Sequence, residues 1–530
     1  MSKERTTTTR YLTRRETLRY AAATALGLSA GVPLLGGCSV GSQGPAANGG
    51  QPPTQPTGTL RVAHLGDPTS LDPSLAGNAV SLPIISHNIY ESLLGFNGDT
   101  SELVGVLADR WESSPDGRQW TFYLKDGITF HDGAPLTSSA VKKTFQYYSR
   151  SGAQWAVLLP PNATYDDTDP RVIRISSPAS FPDMGRNATL IRMISPNLVD
   201  RGPEAVNKTP TGTGPFRFES YTTAKSIVLT ANRQYRGPGP YLEGLQFQII
   251  PDASARVAAL RSGSVDLVYN VPPSDAGALR TASNLTVTEK PLWRVGQLII
   301  FTKHQPVDNV ALRRAIAHAI DKEAIVKSIL RGVGKRQDNI LPEGVYGYRQ
   351  PTTQYPYDLD KARQLLAQSG LPAPVELEAV WSPELGENIG RVEQAISGML
   401  SQIGVNMKAT QIPFAEVTKV IVDPKQKPYH AVAGELGWLT GGPLFFATKY
   451  FQRTSEFDAM NDLNTRMLTT PDGPERLQLL ADMQELFAQQ LPAIPLYNSI
   501  QVDAYSSAVQ GYSAPKDGFQ PRFGQVFLSQ

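Results

Sequence analysis

The sequence predicts a mixed α/β protein. Runs that alternate apolar and polar residues recur through the first 300 positions, and apolar stripes at helical spacing crowd positions 305–490. The length agrees with this. A chain of 530 residues makes about three domains and buries a core that needs no disulfide or metal staple.

The first element is a targeting segment. Residues 1–19 carry Lys3, Arg5, Arg10, Arg14, Arg15 and Arg19 against Glu4 and Glu16, and residues 20–37 carry no charge. A basic start, an apolar middle and a small-residue cleavage site make 1–37 a signal peptide. Its middle is Ala/Gly-rich, only mildly apolar and interrupted by Pro33, which makes a poor membrane helix. Residues 13–19 resemble a twin-arginine export signal, with Thr17 where a large apolar residue is common. Leu35-Gly36-Gly37-Cys38 resembles a bacterial lipobox, whose cysteine is acylated and becomes the new N-terminus. Cys38 is the chain's one cysteine, which fits a dedicated use. Cleavage before it removes six basic and two acidic residues and turns the net charge from +2 to −2. Lipid on Cys38 would anchor the protein outside the cytoplasm on the cell membrane, each buried methylene contributing roughly 0.8 kcal/mol.

Residues 38–58 form a flexible tether, rich in Gly, Pro, Ser and Gln and free of charge. Structure is expected to begin with a strand at 59–64. Further strands are predicted at 119–124, 171–176, 226–230, 244–250 and 297–301. Thr137 caps a helix with Val141, Phe145 and Tyr148 on one face. Positions 308–332 hold two helical runs: one carries the stripe Ala315, Ile316, Ala319 and Ile320, and Asp321 caps the other, which Gly332 ends. Asp358 caps a helix stopped by Gly370. Ile389, Val392, Ile396, Met399, Leu400 and Ile403 mark a longer one stopped by Gly404. Pro474 opens another, with Leu477, Leu480, Met483 and Phe487. Each stripe reads as core packing.

Composition excludes several functions. Lys plus Arg is 50 and Asp plus Glu is 48, so no basic surface for nucleic acid is expected. One cysteine rules out an internal disulfide and a Cys-based metal site. The six histidines form neither HExxH nor a closely spaced pair, and no cofactor is called for. Gly27-Leu28-Ser29-Ala30-Gly31 matches the G-x-S-x-G pattern of serine hydrolases, but it lies in the signal with no strand before it.

Several segments, in order, resemble the family 5 extracellular solute-binding proteins of ABC importers. They are Leu71-Asp72-Pro73, the run Asn88-Ile89-Tyr90-Glu91-Ser92-Leu93, and Leu107-Ala108-Asp109-Arg110-Trp111-Glu112. The stretch 120–137, with its turns Asp126-Gly127 and Asp132-Gly133 around Ile128-Thr129-Phe130, is the most specific. Gly212-Thr213-Gly214-Pro215-Phe216, the helix at 310–322 (Arg314 where a Gln is usual) and Leu491-Pro492-Ala493-Ile494-Pro495 complete the set.

The resemblance implies a two-lobed periplasmic-binding-protein-like fold (type II, cluster C) with a hinge and an extra subdomain on lobe I. Lobe I would span 58–93, 208–300 and 496–530, the subdomain 94–207, and lobe II 301–495, with hinge crossings near 300 and 496. It also implies a monomer that closes on a peptide or other small-molecule ligand and docks on an ABC permease. Peptide-binding members pair the ligand's ammonium with the Asp of a Gly-Trp-x-x-Asp segment. Here that segment reads Gly437-Trp438-Leu439-Thr440-Gly441. A buried ammonium left unpaired costs roughly 3–5 kcal/mol. Either the ligand lacks a free amine or another acid, such as Glu435, replaces the Asp. Trp438 and Trp381 are candidate cleft walls. His64 is a candidate as a strand-tip residue, and Tyr90 as part of the matched Tyr-Glu pair. Two alternatives stay open: a lipoprotein of this fold that senses or partners envelope enzymes without transport, and a secreted hydrolase.

Overall fold

The computed structural model describes residues 51–75, 80–153, 155–386, 388–422, 429–442 and 458–529. The signal, Cys38 and the start of the tether lie outside the described residues. Among the described residues no helix is long and apolar enough to cross a membrane.

An 11-stranded sheet organises these residues. Two long antiparallel strands, Leu285–Ile300 and Ala493–Ser506, run through its middle. On one flank Ala431–Gly437 pairs with the Arg294–Ile300 part of the first long strand. Val375–Trp381 and Val405–Gln411 follow in parallel. On the other flank Leu267–Val268 pairs with Tyr505 and Ala504. Thr59–His64 and Gly244–Ile249 come next, parallel to each other, then Ser226–Ala231 and Phe216–Thr222. Each flank therefore holds only its own end of the long pair, and this is the two-lobed arrangement. Pairing between the long strands breaks from Pro291 to Val295, where proline supplies no N–H. Asn498 spans the break: its Nδ2 donates to the carbonyls of Leu292 (2.7 Å) and Arg294 (2.9 Å).

Local chemistry explains the elements. Val375–Trp381 buries alternate residues, as a pleated strand with one face on a core must. Thr137 Oγ1 accepts from Ala140 N–H (3.3 Å) to start the helix Ser138–Tyr148. Asp358 Oδ1 accepts from Lys361 N–H (2.8 Å) to start Leu359–Gln368. Asp321 likewise caps Ala324 N–H (2.9 Å), but the helical path then widens from α into a π turn at Ile325–Ile329. The strand expected at 297–301 is the end of a 16-residue strand. Its earlier part, Leu-Thr-Val-Thr-Glu-Lys-Pro, is largely polar and half-exposed, so it carries no apolar signature.

Outside the large sheet, Ala108–Ser113, Gln119–Leu124, Val172–Ser176 and Thr164–Asp169 form a four-stranded antiparallel sheet. Trp120, Phe122, Phe145 and Ile173 from this unit join one continuous apolar core with Leu60, Val62 and Phe247 of the first flank.

Candidate functional site: the cleft between the two halves

The loop 437–442 leaves the end of the strand Ala431–Gly437 and reaches across the junction. Trp438 N–H donates to Trp293 O (2.8 Å), and Gly441 N–H donates to Trp438 O (2.9 Å), closing a turn. Successive side chains then part company. Trp438 is 1% exposed and packs with Trp293, Phe301 and Leu480 in the second half's core. Leu439 packs into the core of the first half. Gly441 has φ +56°, and a Cβ there would stand 3.0 Å from both Phe96 Cζ and Trp293 Cζ3. The place where peptide-binding relatives would carry Asp is filled by two aromatic rings.

Glu435 lies two residues before Gly437 and is already engaged. Tyr497 Oη donates to its Oε1 (3.0 Å), and Arg294 Nη1 lies 3.6 Å from its Oε2. The Tyr497 ring packs against Gly296, where a Cβ would come within 2.2 Å of Cζ, so glycine allows this close approach. Arg294 in turn covers the Phe519 ring at 4.2 Å.

The facing wall belongs to the first half. Arg192 is 2% exposed. Its Nη1 donates to Ser92 Oγ (2.9 Å), its Nη2 to Gln520 Oε1, and its N–H to Tyr148 Oη (3.1 Å). Burial pushes its pKa down to about 10. Arg192, Gln520 and Ser86 line a small cavity with Leu439, Leu190 and Trp155. A second link between the halves is an ion pair: Arg476 Nη2 lies 2.8 Å from Asp183 Oδ1, with Asp472 2.6 Å from Nη1. Beside it the Arg186 guanidinium stacks on Tyr346 at 3.8 Å.

The other sequence candidates are not among the residues that line this cavity. His64 is fully buried. Its Nδ1 bonds Tyr269 Oη and its Nε2 bonds Val80 O (2.8 Å), and burial lowers its pKa to about 4. Tyr90 is fully buried in the first core, and its hydroxyl pKa is raised by that burial. The adjacent Glu91 pairs with Arg236 (2.8 Å) and accepts from Tyr235 and Thr213. Trp381 packs over Gly390, partly buried against the second half's other core cluster. His131 Nε2 bonds the carbonyl of Gly214 at 3.0 Å, a long-range contact. A further cavity inside the second half is lined by Lys322, Asp338, Asn339 and Gln484, which bond one another: Lys322–Asp338 at 2.7 Å and Asn339–Gln484 at 2.8 Å. It is internal packing space.

Arg192, Ser86 and Gln520 were not singled out from the sequence. The available signal was a lone arginine in the apolar run Leu190-Ile191-Arg192-Met193-Ile194.

The model of bacterial extracellular solute-binding proteins, family 5 (middle region), matches residues 102–456. Heme-binding protein A of Haemophilus influenzae is 28% identical over 505 residues, covering 86% of this chain and 90% of that protein. The dipeptide-binding protein of Escherichia coli is 26% identical over 496 residues, covering 86% and 92%. The structure of the Helicobacter pylori periplasmic binding protein DppA with the peptide STSA aligns with a TM-score of 0.76 at 24% identity, over 90% of this chain and 99% of that one. That likeness is one of fold.

Proposed function

Because the chain belongs to family 5 of the bacterial extracellular solute-binding proteins, we propose that it captures a peptide-like solute between its lobes and delivers it to an ABC permease. Lobe I comprises 58–93, 208–300 and 496–530, the subdomain 94–207, and lobe II 301–495. The hinge crossings lie near 300 and 496, close to the pairing break between Pro291 and Val295 that Asn498 spans. Open and closed forms exchange, and the solute favours the closed form by the contacts it makes only there. The protein acts as a monomer on the outer face of the cell membrane, held by lipid on Cys38 after twin-arginine export.

The observation that carries this reading is the 437–442 loop. It belongs to the second half, places Leu439 in the first half's core and roofs a cavity whose other wall holds a buried guanidinium. Closing the halves therefore assembles one site from both. Filled space at Gly441 and an engaged Glu435 argue against an ordinary free-amine peptide as cargo. N-blocked or cyclic peptide-like solutes suit the site better.

Native mass spectrometry of the mature protein, purified gently in mild detergent, tests this. A retained small solute, identified after release, supports transport. A protein that is empty under all growth conditions and whose lobes respond to no small molecule overturns it in favour of a non-transporting envelope role. The same spectrum reads the acyl mass on Cys38, which Cys38→Ala removes.

A further inference from the structure

Several charges in the first half are matched to charges of opposite sign. Asp72 meets Arg150 at 2.8 Å, Glu91 meets Arg236 at 2.8 Å and Arg61 meets Asp266 at 2.6 Å. Arg256 gives its Nη1 to the carbonyls of Ile250 (3.0 Å) and Pro251 (2.7 Å). Arg192 is different. No carboxylate of a described residue comes within ion-pair distance of it, and two of its five N–H donors go to neutral side-chain oxygens. Asp517 reaches it only through Gln520, whose Nε2 donates to Asp517 Oδ2 at 2.5 Å. Glu91 is committed to Arg236, Tyr235 and Thr213.

A second observation lies in the same cavity. Ser86 is fully buried and its Oγ has no hydrogen-bond partner. Leaving a buried hydroxyl unpaired is costly, and leaving a buried cation without an anion is more so. The two groups line one space, roofed by Leu439 from the opposite lobe.

We propose that Arg192 and Ser86 form the anion subsite of the cleft: the solute's carboxylate enters this cavity, takes charge-assisted hydrogen bonds from the guanidinium and one from Ser86 Oγ, and is sealed in by Leu439. With Gly441 filled by aromatic rings, recognition is of the acid end of the solute and not of an amine. The subsite rests on the solute-binding reading and gives it a substrate class: small carboxylic acids, among them N-blocked peptides.

The test uses the mature protein stripped of any bound solute and three probe pools. These are N-acetyl dipeptides as free acids, the same dipeptides as C-terminal amides, and free-amine dipeptide amides. Binding is read by titration calorimetry. The expected result is that acids bind roughly 10- to 100-fold more tightly than their amides, with free-amine amides weakest. Arg192→Met abolishes that difference, Arg192→Lys keeps part of it, and Ser86→Ala reduces it. Each variant's melting transition is checked for folding, and the wild-type comparison of acid with amide needs no variant. Amides binding as well as acids, a folded Arg192→Met protein that keeps the preference, or no acid bound at all would each overturn the subsite. In any of those cases, a non-acidic solute retained in the native mass spectrum leaves the solute-binding reading standing.

Discussion

Two buried arginines face the junction between the halves, and their surroundings differ. Arg476 is fully buried between two carboxylates, Asp183 across the junction and Asp472 on its own side. Arg192 is equally inaccessible, but its side-chain partners are a hydroxyl and an amide oxygen. The first site is electrically complete with protein groups alone. The second lacks its negative charge. The contrast separates a clasp that belongs to the closed fold from a position that waits for something brought in from outside.

The strongest way to break this comparison is to remove each cation. Arg476→Met strands the buried carboxylate of Asp183 and is expected to cost about 3–5 kcal/mol in urea unfolding. Solution scattering should then show a larger radius of gyration as Asp183 seeks water. Arg192→Met removes a charge with no local counter-charge and is expected to cost no more than about 1–2 kcal/mol, the loss of two neutral acceptors' partner. Equal losses for the two variants would make Arg192 a structural ion.

Acid gives a smaller effect, through histidines such as His64 and His131. Burial lowers the pKa values of His64 and His131 to about 4. Each then binds fewer protons folded than unfolded, so stability is full above about pH 6.5 and drains away as pH falls toward 4. Asp503 works in the opposite sense, because burial raises it to about 6, so it favours the folded state as pH falls through that value. The melting temperature is expected to drop between pH 6.5 and 4.5, and His64→Gln should flatten that drop. Neither arginine loses its charge in this range, so the acid/amide preference should outlast the first part of the fall.

The smallest effect on binding is at the filled site. Gly441→Asp restores the carboxylate of peptide-binding relatives in name, but its side chain meets Phe96 and Trp293 at once. It is expected to cost about 1–3 kcal/mol from overpacking and to add no affinity for free-amine dipeptides. A gain of that affinity would show that the two rings move aside.

Much of the fold was legible because its signals are local. Thr137, Asp321 and Asp358 cap helices through bonds spanning three residues, so a short window of sequence contains the whole cause. The two-lobed arrangement came through resemblance, since no short window contains it. The strands Val405–Gln411 and Ala431–Gly437 escaped because they lie among amphipathic helices whose stripes dominate that region. The site divides the same way. The 437–441 segment was found as a contiguous motif with one residue changed. Arg192 was missed because its meaning depends on Ser92 and Gln520, 100 and 328 residues away in the chain. A lone basic residue in an apolar run shows burial, but not which counter-charge is missing.

The Asn498 stitch bears on how such a machine can cycle without wear. Between Pro291 and Val295 the two long strands exchange no ladder bonds, and one side-chain amide holds two carbonyls in their place. A side chain can rotate about its own bonds while the backbone on either side stays rigid, so the joint can bend while neither flanking ladder unzips. On the proposed hinge reading, the bending between the lobes is concentrated in a few single bonds.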